Sequence, residues 1–314
     1  MTRFVLSLAT AGVIAAALAA QPTGPAPRPP GARPAAGTQP SLSVRVEEKN
    51  PWTRLELRNA PQNFQFAIVT DRTGGHRPGV FEAAAAKLNL LQPEFVMSVG
   101  DLIEGYKEDP EILAAQWREF NGFVTGLEMP FFYVPGNHDL SNAAMVPIWQ
   151  NQFGRTYFHF VYHDVLFVAL NSEDPPGYKV DNANPGHLGE EQLKWLKSVL
   201  EENAGVRWTL VFLHKPMWHY GNRSNWNAVE ELLGDRPRTV FAGHEHRFRA
   251  TKVGPWTYYA LATTGGSSKL RGPKEGEFDH VVWVTMTSQG PKMANLMLDG
   301  VWTENPVAEA AARP

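Results

Sequence analysis

Between residues 64 and 242, short apolar runs alternate with segments whose apolar residues recur at helical spacing. A run such as Phe66–Val69 has no polar break, which is the pattern of a strand covered on both faces. Strands of this kind are expected at 64–70, 94–99, 131–134, 207–213 and 238–242. Helices are expected between them at 79–91, 110–127, around 143–152, at 189–203 and at 227–233. In the second of these, Leu113, Trp117, Phe120, Val124 and Leu127 share one face. The runs 156–162 and 165–171 face each other across His163-Asp164 like a hairpin, 41–48 alternates like a half-exposed strand, and 256–263, 280–287 and 292–299 are strand-like. Repeated strand–helix–strand units imply parallel pairing, and the paired runs imply a second, mixed sheet. The expected fold class is α/β, with two mixed β-sheets face to face and helices outside, in one domain.

The ends read differently. Residues 1–20 start with Arg3, continue through an apolar stretch from Phe4 to Leu18 and include Ala17-Leu18-Ala19, a small-x-small site; they are expected to be a signal peptide, so the protein is expected to be exported, periplasmic or extracellular, with no membrane span after cleavage. Residues 21–40 are rich in Pro, Gly and Ala and are expected to be an extended linker. The folded domain is expected over 41–305, with a flexible tail at 306–314. The chain has no cysteine, which removes disulfides, thiolate metal sites and cysteine nucleophiles. A net charge of −3, from 29 basic and 32 acidic residues without a basic run, points away from nucleic acid.

In such a sheet, ligands gather beyond the carboxyl ends of the strands. Five expected strands end there in a residue able to hold a metal: Asp71, Asp101, Asn137 with His138 and Asp139, His214, and His244 with His246. Taken singly, an acid after a strand caps a helix or shapes a turn, and one histidine is more often a hydrogen-bonding group. Five such coincidences, one of them two imidazoles at i and i+2, argue for a metal site. Carboxylate, amide oxygen and imidazole suit borderline to hard cations, with Fe, Mn or Zn the best match, and one carboxylate can bridge two ions.

"D71-R-T", "G100-D101", "G136-N137-H138-D139", "H214" and "G243-H244-E245-H246" resemble the ordered motifs of the calcineurin-like metallophosphoesterases, over residues 64 to about 250. The resemblance implies the four-layer αββα sandwich of that family and two metal ions. It implies that Asp101 bridges them, that Asp71 and His246 belong to one metal, and that Asn137, His214 and His244 belong to the other. A hydroxide between the ions would then attack phosphorus in line. Most of the family has Asp-x-His in the first motif, where this chain has Thr73. Water could complete that shell, or His76 could swing back across Gly74-Gly75; otherwise His76 lines the cleft or caps the next helix. The purple acid phosphatases also lack that His and use a Tyr three residues after the bridging Asp, a place held here by Glu104. In the Ser/Thr phosphatase branch the acid there orients the imidazole of the Asn-His motif. By that resemblance Glu104 holds His138, which stabilises developing charge or protonates the leaving oxygen; its rivals are metal ligation by Glu104 and a solvent-facing side chain, and Asp139 is the alternative holder of His138.

Arg72 is a candidate for a phosphate oxygen of the substrate. The segment 263–269, "TTGGSSK", has the composition of a phosphate-cradling loop without its spacing. The expected function is that of an exported dinuclear-metal phosphoesterase acting on a small phosphomonoester or phosphodiester. The alternative is a non-catalytic binding or scaffold protein on the same fold with weakened metal occupancy.

Overall fold

The computed structural model describes residues 42–55, 63–298, 300–303 and 305–312. The expected signal peptide and linker lie outside the described residues. In chain order the elements are β1 (Leu42–Val44), β2 (Phe64–Val69), α1 (Val80–Leu91), β3 (Val96–Ser98), α2 (Pro110–Thr125), β4 (Phe131–Phe132), α3 (Met145–Phe153), β5 (Phe158–Tyr162), β6 (Val165–Ala169), α4 (Glu190–Glu202), β7 (Trp208–Phe212), α5 (Trp226–Leu233), β8 (Arg238–Ala242), β9 (Arg249–Val253), β10 (Trp256–Ala260), β11 (His280–Thr287), β12 (Gly290–Met297), β13 (Gly300–Thr303) and α6 (Pro306–Ala312).

These strands make two mixed sheets, ordered β1-β5-β6-β7-β8-β10-β9 and β13-β12-β11-β2-β3-β4. Within them β2, β3 and β4 run parallel, as do β6, β7, β8 and β10, so both parallel groups deliver their carboxyl ends to functional loops. Period-two alternation sets the layers. Phe64, Phe66 and Ile68 of β2 share the core between the sheets with Val165, Phe167 and Ala169 of β6. The intervening Ala67 and Val69 turn outward to Phe81, Leu113, Trp117 and Phe120 on α1 and α2. On the other sheet Leu166 and Val168 turn outward to Leu196, Val199 and Val229 on α4 and α5. The result is the α/β fold of two face-to-face mixed sheets flanked by helices. Helix α2 starts where its sequence dictates: Asp109 accepts from the Glu111 and Ile112 amides, and Pro110 occupies the first turn.

Three features depart from the sequence reading. Strand β9 (RATKV) is charged and largely exposed because it is a sheet edge paired on one side only, so it lacks an apolar run. The 41–48 alternation shortens to β1, and β13 adds an edge at the other sheet. The tail expected to be flexible is helix α6 over Pro306–Ala312, with Pro306 and Ala310 buried and Val307 against the core between the sheets. Among the described residues no helix is long and apolar enough to cross a membrane.

Phe167 is fully buried where the sheets meet, with ring centroids 4.6 Å from Phe160, 5.2 Å from Phe66 and 5.3 Å from Phe95. Phe167→Ala is expected to cost about 3–5 kcal/mol in urea unfolding. A loss below about 1 kcal/mol would mean that this stack does not hold the sheets together.

Candidate metal centre

The chain leaves β2, β3, β4, β7 and β8 at one rim, and the polar residues that end those strands converge there. Asp101, His214 and His244 offer ligand atoms within 4.8 Å of one another. Asp71, Asp101 and His246 form a second set of the same size, and Asp101 is common to both. Asp101 Oδ2 lies 3.1 Å from His214 Nε2, and His246 Nε2 lies 3.3 Å from Asp71 Oδ1. Asn137 Oδ1 is 3.0 Å from His214 Nε2, and His244 Nδ1 is 3.2 Å from that same nitrogen. Asp71, Asp101 and His214 are buried almost completely.

Neighbouring groups decide which atom each side chain presents. His214 Nδ1 donates to the Val99 carbonyl at 2.8 Å, and His246 Nδ1 donates to the Ser267 carbonyl at 2.7 Å. A carbonyl can only accept, so both rings turn Nε2 towards the centre. Asn137 Nδ2 donates to the Tyr106 hydroxyl at 2.9 Å, which leaves Oδ1 facing His214. Thus Asp101 Oδ2, Asn137 Oδ1 and the Nε2 lone pair of His214 meet as three acceptors with no donor among them. Only a cation reconciles such a set in a buried place. A proton is the smallest one. Burial opposes charging His214, but Asp101 beside it, with Asp71 and Glu173, outweighs burial and raises it to about 9. His246 is likewise raised to about 9, against burial, by its hydrogen bond to Asp71. His244 falls to about 3 through burial and the charges of His214 and Lys215.

The backbone is strained at these residues. Asp101, His244 and His246 all take left-handed conformations, with φ of 56°, 72° and 50°. Each costs about 1–3 kcal/mol, and such residues persist where surrounding structure fixes them. Close approach explains one glycine: a Cβ on Gly136 would stand 2.3 Å from Asp101 Oδ1.

The profile of the calcineurin-like phosphoesterases matches residues 64–248. The chain belongs to the calcineurin-like phosphoesterase family. Over 186 residues it is 29% identical to serine/threonine-protein phosphatase CPPED1 of Danio rerio, a stretch covering 52% of this chain and 58% of that protein. It is 24% identical over 176 residues to the protein named "Probable glycerophosphodiester phosphodiesterase GpdQ" of Arcobacter nitrofigilis, covering 51% of this chain and 59% of that one. The matched stretch is thus little more than half the length of either relative. A solved dimetal phosphatase from Danio rerio shares the fold at a TM-score of 0.58 and 14% identity, over 77% of this chain and 98% of that chain.

Within the family frame, several residues stand elsewhere than the sequence suggested. Arg72 does not face the centre: it is buried, pairs with Glu119 at 3.1 Å, donates to the Leu102 carbonyl and lies over the Phe123 ring. Asp139 does not hold His138. Its two oxygens accept the amides of Asp101, Gly136, Leu102 and Ile103, so it shapes the turn that carries Asp101. The Glu104 carboxylate does not reach His138 either; the Glu104 backbone carbonyl does, accepting from His138 Nδ1 at 2.7 Å. The carboxylate instead accepts the Gly75 and His76 amides and pairs with His76 Nδ1 at 3.0 Å. Burial works against its ionisation, yet the Thr73 hydroxyl, at a geometry outside normal hydrogen-bond limits, and the His76 and Gly75 donors hold it at about 2. That pairing turns His76 away, and it joins neither ligand set. Segment 263–269 is a buttress instead of a cradle, because the Thr264 and Gly266 amides are spent on the Asp71 carbonyl.

Sequence reasoning missed Tyr106, Val99 and Ser267. The last two act through backbone carbonyls, which no side-chain pattern reports. Beside His244 and His246 opens a cavity of about 550 Å³, bordered by Arg247, Ser267, Ser268 and Lys269.

Because His214 and His246 hold protons up to about pH 9, a metal must displace them. Metal uptake at pH 7–8 is therefore expected to release about two protons per chain, and apparent affinity to climb as pH rises towards 9. Calorimetry in buffers of different ionisation heat measures this, and uptake without proton release would mean that these imidazoles are neutral before the metal binds.

Proposed function

We propose that this protein is a dinuclear-metal phosphoesterase that hydrolyses a phosphomonoester or a phosphodiester. The observation that carries the reading is Asp101, shared between two ligand sets: His214 and His244 with Asn137 on one side, Asp71 and His246 on the other. This donor set fits Fe, Mn or Zn, being rich in imidazole and free of thiolate. Two such ions, when bound, neutralise phosphate charge and activate water.

The chain's own residues do the rest. His138 donates Nδ1–H to the Glu104 carbonyl, which leaves Nε2 facing the centre, 3.9 Å from Asp101 Oδ2. That nitrogen is placed to give a proton to the departing oxygen. Glu104, through its carbonyl, holds the ring; Asp139 holds the turn. The family relatives include one named as a serine/threonine phosphatase and one named as a phosphodiesterase, and the open cavity beside His244 accommodates a second substituent on phosphorus. Residues 1–20 carry the further proposal of export, which the mass of the mature N-terminus in cell fractions tests.

Metal quantitation on protein purified without chelator, joined to a panel of aryl and alkyl phosphomonoesters and diesters, tests the central reading. Two ions per chain with hydrolysis are expected; under one ion per chain without hydrolysis favours the non-catalytic alternative. Asp101→Asn is expected to strip metal far more severely than His76→Ala, and equal losses would sink the shared-carboxylate assignment. His138→Ala is expected to keep its metal and lose about 10²–10⁴-fold in kcat, more for alkyl than for aryl leaving groups. An equal loss on both would exclude proton donation by His138.

A further inference from the structure

Three consecutive residues after β3 close over the Asn137-His138 pair. The Glu104 carbonyl takes the His138 Nδ1 proton, and Gly105 follows so tightly that a Cβ on it would sit 1.6 Å from the His138 carbonyl oxygen. Tyr106 then offers its hydroxyl to Asn137 Nδ2 at 2.9 Å, with its ring edge-on to His138 at 4.8 Å. The clip is anchored from behind: Gln116 of α2 accepts the Gly105 amide at 2.9 Å, and Asn142 donates to the Lys107 carbonyl at 3.1 Å.

Tyr106 is unusual on two counts. It takes φ of 50°, a region unfavourable for a bulky side chain, and it is 57% exposed, so burial cannot offset that strain. The contacts that remain to explain it are those with Asn137 and His138. An asparagine can present oxygen or nitrogen by a half-turn of its amide, and only the oxygen can ligate a cation. With the oxygen turned to His214, the amide nitrogen needs an acceptor, and the Tyr106 hydroxyl supplies it. Accepting that proton also polarises the amide and makes its oxygen a better donor of electrons.

We propose that Tyr106 is a positioning residue for the metal centre, holding Asn137 with its oxygen turned inward. This rests on the dinuclear reading above. The test uses the full chain, stripped with chelator and titrated with Mn²⁺. The wild-type protein is expected to take up two ions. Tyr106→Phe keeps the ring and is expected to weaken one binding step about 10-fold while leaving the other unchanged. Asn137→Asp presents oxygen in either orientation, so in that background Tyr106→Phe is expected to shift the step by less than about 2-fold. A packing role alone would cost the same in both backgrounds, and that result, or an unaltered titration of Tyr106→Phe, overturns the assignment. Wild-type protein binding fewer than two ions overturns the dinuclear reading itself, and the assignment with it, which keeps the two failures distinct.

Discussion

Acceptors that face one another without a donor are the constraint on which this structure turns. Asp71 and Asp101 are buried carboxylates at the rim of two sheets. Each has part of its charge answered by the main chain: Asp71 Oδ1 takes the His244 amide at 2.8 Å, and Asp101 Oδ1 takes the His138 amide at 2.9 Å. The Thr70 hydroxyl gives Asp71 Oδ2 a further donor at 2.5 Å. Asp101 Oδ2 is left to His214 and His138, whose nitrogens in neutral form offer lone pairs. An uncompensated buried carboxylate costs several kcal/mol, so the site requires positive charge, supplied by protons or by metal. That requirement makes the rim a cation trap and explains why His214 and His246 are raised to about 9.

The core between the sheets is what makes such a rim tolerable. Phe66, Phe95, Phe160, Phe167 and Phe212 interlock there, so the strand ends reach the rim in fixed register. Left-handed Asp101, His244 and His246 sit two to four residues beyond strands that are buried on both faces. Strain is concentrated in a few loop residues and held by a large apolar stack, the arrangement in which functional strain persists.

How much of this the sequence carried depends on what each residue does with its side chain. Apolar periods of two and 3.6 gave the layers, and the polar strand ends gave the residues of both ligand sets, because those features are local. Arg72 shows the limit of proximity along a chain. Successive residues at a strand tip point to opposite faces, so the neighbour of Asp71 turns outward to Glu119 and Phe123 on α2. Asp139 does not hold His138 for a related reason: its carboxylate is consumed by four amides that the turn itself presents. Glu104 and Tyr106 act by a backbone carbonyl and by a hydroxyl across more than 30 residues of chain. Neither contact follows from residue type and spacing, and both needed the path of the loop after β3.

The two ligand sets are unequal, and the inequality follows from residue 73. On one side of Asp101 stand Asn137, His214 and His244; on the other stand Asp71 and His246, with Thr73 where most of the family has histidine. The structure spends the neighbouring chain on something else. Gly74 takes φ of 78° and passes so near the His246 ring that a Cβ would meet its Cε1 at 3.0 Å. Gly75 and His76 are then drawn to Glu104. His76 is thereby held by Glu104 and joins neither ligand set. A cation held by Asp71 and His246 would have one protein donor fewer than one held by Asn137, His214 and His244. The cavity bordered by Ser267, Ser268 and Lys269 opens beside both His244 and His246, one from each set. The inequality of the two sets thus follows from Thr73 and from the course of the chain over Gly74, Gly75 and His76.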